Sequence, residues 1–492
     1  MILLDGERLT CDELHAVAHG ARVQIHPTAA WRMRQNAASI PEGPSVLSRK
    51  RRWLVGPGSA EMDEATLTES FILGHCAGVG EPLPEVAVRA AIAARLNVFA
   101  KGLSGCRPLA AGALSAMLNQ NVIPVVPSQG SVGAAGDLAP MAHIAAVACG
   151  YLDRPAGLPD YTPTPKEALA LINGVSMTAG LASIAVVRAR RVFESALMAT
   201  ALTMEVVRAD FGCIDPRPLA VCGSRGAALV GRRLRELLTG STQVVAGREP
   251  DAFSIRCSPT VMGTFWRMLS FVTVEVTREL NSASDNPLLF DGEWVEAGNF
   301  HGANLAMSMD SLKIAIAQLA TLSERRTFRL THGQLSRGLP SFLVRGTGLN
   351  SGFMLAQYTA ASLASECKGF AHPASVDTIP TVQHHEDHVS MGTIAARMAL
   401  RAIECLADIV GIELLLAAQG LDLRMRGLAW DANGAPMSAE PVVPAPHIRA
   451  IHEQIRAVVP YWEDDGLLHP AIVSMGELVR SGSLHQESPS GW

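Results

Sequence analysis

The feature that most narrows the fold of this chain is a series of apolar stretches at helical spacing, several of them too long for a single-layer globule. The periodicity predicts helices over Lys166–Leu171, Ser176–Val207, Arg225–Leu238, Thr260–Asn281, Asn304–Thr331, Ser351–Gly369 and Glu386–Gln419. Globular helices usually run roughly 8–20 residues, so the longest of these point to a bundle of long antiparallel helices. Aromatic residues make up only 5% of the chain, and the abundance of Ala and Leu favours helix over sheet. Shorter helices are expected over Thr66–Val79, Pro84–Leu103 and Leu109–Asn119, and the first 60 residues read as irregular or short helical pieces. Val122–Pro127 reads as extended, and Asp137 is placed to cap an apolar helix that runs to about Gly150. One hairpin interrupts the helices: Pro287–Phe290 and Glu293–Val295 flank Asp291-Gly292, a pair suited to a two-residue turn. Residues 151–165 hold four prolines and read as a loop, and Ser481–Trp492 reads as a disordered tail.

Composition excludes several classes of function. The net charge is −5 and the basic residues are scattered, so nucleic acid is not an expected partner; the run Arg49–Arg52 reads as a solvated loop. Charged residues break the most apolar stretches, with Arg188, Arg190, Arg191 and Glu194 interrupting the one around Ile184–Val207, so no membrane span is expected. Nine cysteines stand singly between Cys11 and Cys405, with no C-x-x-C pair, which suits a reducing, cytoplasmic compartment.

A set of short segments carries more information. In order they are Gly74-His75-Cys76-Ala77-Gly78-Val79-Gly80-Glu81-Pro82-Leu83, the small-residue run Gly130–Pro140, Leu171-Ile172-Asn173-Gly174 and Phe253-Ser254-Ile255-Arg256-Cys257. Ser284-Asp285-Asn286-Pro287-Leu288, Gly298-Asn299-Phe300-His301, Leu349–Met354, His372–Asp377 and Glu386-Asp387-His388-Val389-Ser390-Met391 follow. In this order and at these separations they resemble the histidine, phenylalanine and tyrosine ammonia-lyases and the related aminomutases, the histidine enzymes most of all. The resemblance covers nearly the whole chain. It implies a mainly α fold: a bundle of long antiparallel helices over residues 171–480, a smaller N-terminal lobe over 1–170 that carries the loop 130–137, a short β-hairpin, and a tail over 481–492. It also implies a homotetramer whose active sites borrow residues from more than one subunit, acting on a small-molecule substrate.

Three departures remove the chemistry that the resemblance would otherwise imply. In the family an Ala-Ser-Gly tripeptide cyclises to methylidene-imidazolone (MIO), an electrophile whose methylene arises by loss of the serine hydroxyl. Here the tripeptide is Ala134-Ala135-Gly136, and Ala135 has no hydroxyl to lose. No MIO cofactor is therefore expected; read for its own sake, the run is a tight Gly-rich turn. A family loop that supplies a proton-transferring Tyr is replaced by Trp53-Leu54-Val55-Gly56-Pro57-Gly58-Ser59-Ala60, and the family Tyr before Ser-x-Arg is Phe253.

Other site positions are kept. Arg256 matches the Arg that pairs with the substrate carboxylate; its structural alternative is an internal salt bridge. Asn173 matches the Asn beside the cofactor, and its structural alternative is a helix C-terminal cap. His75, on an apolar helix face, matches a residue at the pocket mouth, and Phe300 falls in a matched pocket segment. Glu386 matches a carboxylate that contacts the substrate and could serve as a general base; alternatively it supplies charge at a helix N-terminus. Gln383, His384 and His385 precede it, and the two imidazoles could carry protons in place of the missing phenols or stand as exposed loop residues. His384 and His388 are four apart, but no third His or Cys ligand is evident, so no metal is expected.

Three readings follow. The first is an MIO-independent enzyme that moves protons on a small, activated substrate bearing a carboxylate or amide, by elimination, conjugate addition or cyclisation. The second is a non-catalytic lyase-like binding protein. The third is an ammonia-lyase or aminomutase inactivated by an engineered change, which the loss of two further phenols argues against.

Overall fold

The computed structural model describes residues 1–43, 45–48, 63–153, 156–431 and 434–484. The run Arg49–Arg52, the stretch Trp53–Ala60 and the last eight residues of the expected tail lie outside the described residues. The chain is mainly helical, as expected. Strand β1 (Ile2–Leu4) pairs in parallel with β2 (Val23–Ile25), and helices α1 (Cys11–Ala18) and α2 (Pro27–Ala38) accompany them. Next come α3 (Glu64–Gly74), β3 (Val79–Pro82), α4 (Glu85–Ala100), α5 (Pro108–Asn119), β4 (Pro127–Gln129), α6 (Leu138–Ala148) and α7 (Pro165–Ile172). The long helix α8 (Ser176–Val206) is followed by α9 (Pro216–Val221), α10 (Arg225–Leu237), the single turn α11 (Phe253–Arg256) and α12 (Ser258–Leu280). Strands β5 (Leu288–Phe290) and β6 (Glu293–Val295) form the expected hairpin, with Asp291 and Gly292 both at positive φ in its two-residue turn. Then follow α13 (Ala303–Thr331), α14 (Met354–Phe370), α15 (Gly392–Met425), the hairpin of β7 (Leu428–Trp430) and β8 (Pro436–Ser438), α16 (Pro446–Val458) and α17 (His469–Ser481).

Two compact units share the chain, and neither is continuous in sequence. The first holds Met1–Val187, Phe271–Asp310 and Pro373–Leu400; the second holds Arg188–Ser270, Ser311–His372 and Arg401–Trp492. In the second unit, Arg326 of α13 and Glu413 of α15 form a bidentate pair at 2.6 and 2.8 Å with neither side chain exposed. Thr203 and Ser323 donate to the same carboxylate at 2.8 and 2.6 Å, so its remaining acceptor capacity is used. Helix α13 is long and apolar enough to cross a membrane by length and composition, but 67% of its apolar window is buried within the protein, which is the setting of a core helix.

Several elements differ from the sequence reading. The helix expected over Thr66–Val79 stops at Gly74, and Val79 instead begins a strand paired with β4. The helix expected from Glu386 begins at Gly392, because Met391 (φ 56°) is left-handed and breaks the turn. The expected tail from Ser481 is ordered at its start: α17 runs through Ser481, Gly482 (φ 70°) caps it in the left-handed conformation, and Leu484 is buried.

Candidate active site

The first unit brings four segments together around the Ala134-Ala135-Gly136 loop. Helix α7 starts with a capping box, in which Thr164 accepts from the Glu167 amide and Glu167 returns to the cap, with Pro165 at the first helical position. The helix ends at Asn173, whose backbone turns extended, and Gly174 (φ 97°) crosses the loop. The Gly174 amide donates to the Ala135 carbonyl at 3.1 Å, and the Asp137 amide donates to the Gly174 carbonyl at 2.8 Å. A side chain at Gly136 would place its Cβ 2.3 Å from the Gly174 oxygen, and one at Gly174 would lie 2.4 Å from the Ser284 oxygen. Glycine is therefore required at both positions by backbone-to-backbone packing as well as by positive φ. Ala135 itself has φ 45°, and both Ala134 and Ala135 remain partly exposed.

Asp137 holds this arrangement, though not as the sequence suggests. It stands at the start of α6, but its carboxylate makes no cap bond there. It accepts instead from the Thr178 amide (2.7 Å), the Thr178 hydroxyl (2.8 Å), the Thr393 hydroxyl (2.5 Å) and the Ser131 hydroxyl (3.3 Å). Thr178 and Thr393 lie in the first turns of α8 and α15, so one buried carboxylate ties the loop to the positive ends of two other helices. Burial raises its pKa, and the four hydrogen bonds oppose that rise. Arg95 is also fully buried, feels the charges of Asp285 and Asp137, and makes no hydrogen bond through its guanidinium among the described residues. The sequence reading passed over Thr178, Thr393 and Arg95; each sits in an apolar helical run, where periodicity reports only burial.

The loop that precedes α15 packs on the same frame. The Met391 amide donates to the Val132 carbonyl at 2.9 Å, and the Ser390 hydroxyl fills the space where a Gly133 side chain would be. Upstream, Val382, Gln383 and His384 have φ of 47°, 54° and 67°, a left-handed run that costs non-glycine residues about 1 kcal/mol each or more. Gln383, His384 and His385 are exposed, and Glu386 is half-buried with its carboxylate accepting from the Thr381 hydroxyl at 2.8 Å. Glu386 thus closes a small antiparallel bridge with Thr381 rather than standing at a helix N-terminus. His388 does not pair with His384: its ring stacks on His301 at 5.2 Å, and His301 Nε2 lies 3.1 Å from His388 Nδ1 and 3.2 Å from the His388 carbonyl. A carbonyl only accepts, so His301 carries its proton on Nε2 and His388 Nδ1 accepts. Phe300, half-buried, precedes this pair. Among the described residues no group of three or more His, Cys, Asp or Glu side chains is arranged to hold a metal ion.

His75 follows α3 as its C-cap residue rather than lying on a helix face. Its Nδ1 sits 2.6 Å from the Phe71 carbonyl, which places the proton on Nδ1 and leaves Nε2 as the basic nitrogen of the neutral ring. Asn173 is 1% exposed, and its carboxamide oxygen has no donor among the described residues. Phe253 and Arg256 belong to the second unit. Both are exposed, the Arg256 guanidinium lies 5.0 Å from the Phe253 ring centre, and Arg256 forms no ion pair among the described residues. Phe253 also borders a cleft of about 870 Å³ whose polar lining includes Glu324, Arg325 and Lys368.

Comparison with known proteins shows the family and the fold. The model of the aromatic amino acid lyase family matches residues 9–457. The histidine ammonia-lyase of Anaeromyxobacter sp. (strain K) is 39% identical over 98% of this chain and 99% of its own length. The crystal structure of histidine ammonia-lyase from Trypanosoma cruzi superposes with a TM-score of 0.85 at 36% identity, covering 98% of this chain and 94% of that one. The tyrosine aminomutase from Streptomyces globisporus gives a TM-score of 0.86 at 31% identity, over 98% and 97%. The chain belongs to the aromatic amino acid lyase family.

Proposed function

We propose that this chain is a lyase-family enzyme that works without MIO, moving protons on a small, activated substrate that carries a carboxylate or an amide. The tripeptide does not fit the family cofactor: the ring's methylene requires a hydroxyl on the middle residue, and Ala135 carries a methyl. Without that electrophile an unactivated amino-acid β-proton is out of reach, because a positioned acid or base contributes only roughly 10²–10⁴-fold. The substrate must therefore bring its own activation, as in elimination of a good leaving group, conjugate addition, or cyclisation of an unsaturated chain.

One observation carries this reading. The Asn173 carboxamide oxygen is buried without a donor beside the crossing of Ala135 and Gly174. An unsatisfied buried acceptor costs about 1–3 kcal/mol, which a purely structural relic has no reason to keep and a ligand N–H or O–H would offset. On this reading Asn173 orients the substrate over the loop, and Arg256, an exposed guanidinium without a carboxylate, receives its carboxylate. Glu386, anchored by Thr381, and the Nε2 of His75 are the bases within the first unit, with His384 and His385 as further proton carriers. Homotetramer assembly would let Arg256 of one subunit serve the loop of another.

The test is an ammonia-release assay on histidine, phenylalanine and tyrosine, with the unmodified protein and with Ala135→Ser. The unmodified protein is expected to release none. Ala135→Ser is expected to rebuild the ring yet remain a poor lyase, since Phe253 still lacks a phenol. Strong release by the unmodified protein overturns the proposal, and full activity in the single variant points to an engineered, inactivated lyase instead.

A further inference from the structure

The second unit contains a cleft that the chemistry above does not use. It encloses about 640 Å³, a volume in the range of small-molecule sites, and it lies along α10 against α9 and Trp266. The α10 residues that line it are Arg225, Ala228, Leu229, Arg232 and Arg235, which recur at helical spacing on one face. The opposite face, including Ala227, Val230, Leu234 and Leu237, is buried. Gly231 lets α9 approach closely, since a Cβ there would meet Leu219 at 2.2 Å. The walls are thus apolar, with Leu219, Leu229 and the half-buried Trp266, and the rim is cationic.

The three guanidiniums are poorly neutralised. Arg235 donates one nitrogen to the Ile214 carbonyl and has no ion pair among the described residues. Arg232 reaches Glu236 only at 3.8 Å, and Glu236 is shared with Arg233 at 3.1 Å. Arg225 has no ion pair among the described residues. A solvated basic face would explain the charges but not the cleft with its tryptophan wall. Guanidiniums favour planar bidentate contacts with oxyanions, and two of them one helical turn apart match a dianion better than a monoanion.

We propose that this cleft is a binding site for an organic phosphate, a phosphomonoester on an aromatic or branched apolar body. The phosphate sits on Arg232 and Arg235, the body lies against Trp266 and Leu229, and Arg225 closes the far end. The site is separate from the proposed reaction and stands whether or not that reading holds.

Phenyl phosphate, inorganic phosphate and benzoate are the probes, titrated into the full-length protein by calorimetry and by tryptophan fluorescence. Phenyl phosphate is expected to bind saturably, about tenfold or more tighter than either partial probe, because it alone supplies both the dianion and the ring. The pair Arg232→Gln, at an exposed position, and Arg235→Gln, at a half-buried one, is expected to abolish that binding. Trp266→Leu is expected to bring phenyl phosphate down to the level of inorganic phosphate. Absence of saturable binding, benzoate binding as well as phenyl phosphate, or binding that survives the double substitution would each overturn the proposal.

Discussion

A methyl group at position 135 stands on a backbone that is otherwise held tightly: Ala135 at φ 45°, Gly136 against Gly174, and Asp137 satisfied by four donors. The proposed chemistry depends on that single atom's identity, whereas the frame around it depends on hydrogen bonds that do not involve the side chain of residue 135. A second titratable group bears on stability rather than on the site. Burial pushes the Glu194 carboxyl up to about 7, and the charges of Arg233 and Arg190 offset only part of the rise. The folded-state pKa is raised, so folding takes up protons between the ordinary value of 4.5 and about 7, and the stability this group contributes is present at low pH and lost as pH rises through about 7. Glu194→Gln removes the buried charge. Its Tm relative to the unmodified protein should be close to unchanged at or below pH 4.5, rise between about pH 4.5 and 7, and level off at a higher value above that. Thermal melts across that range check this, and a Tm difference that is zero or negative above pH 7 contradicts it.

Among the elements, the long helices were legible because their apolar repeats persist for many turns. Ser176–Val206 and Ala303–Thr331 begin and end within one residue of where periodicity puts them. The hairpin at Asp291-Gly292 was equally legible, since its turn residues have a conformational reason to be there. The approach to α15 was not: Val389, Ser390 and Met391 continue the apolar pattern of the helix, but the sign of φ at Val382, Gln383, His384 and Met391 is invisible in side-chain type. Helices α16 and α17 were not among the expected helices; they lie in a stretch punctuated by Pro441, Pro444, Pro446 and Pro470, and Pro446 and Pro470 occupy first-turn positions, where the missing N–H costs nothing. In the candidate site, motif order nominated Asn173, Glu386 and the loop. It could not show that the Asp137 carboxylate serves α8 and α15 rather than α6, because that choice is made by tertiary contacts between segments far apart in sequence.

At the scale of the whole molecule, each compact unit leaves large apolar side chains exposed on its long helices: Phe271 (53%) and Met307 (65%) in the first, Ile314, Leu355 and Tyr358 in the second. Apolar surface of this kind is what a subunit interface would bury. This is surface that the proposed tetramer would cover. Light scattering at micromolar concentration should return about four times 52.1 kDa, and a stable monomer that still binds ligand at the loop would contradict shared sites. The central claim, that this member of the family makes no MIO, is tested most directly by the intact mass of the purified protein. The account predicts the mass of the unmodified sequence, whereas a protein lighter by two water molecules, with the loss mapped to Ala134–Gly136, would contradict it.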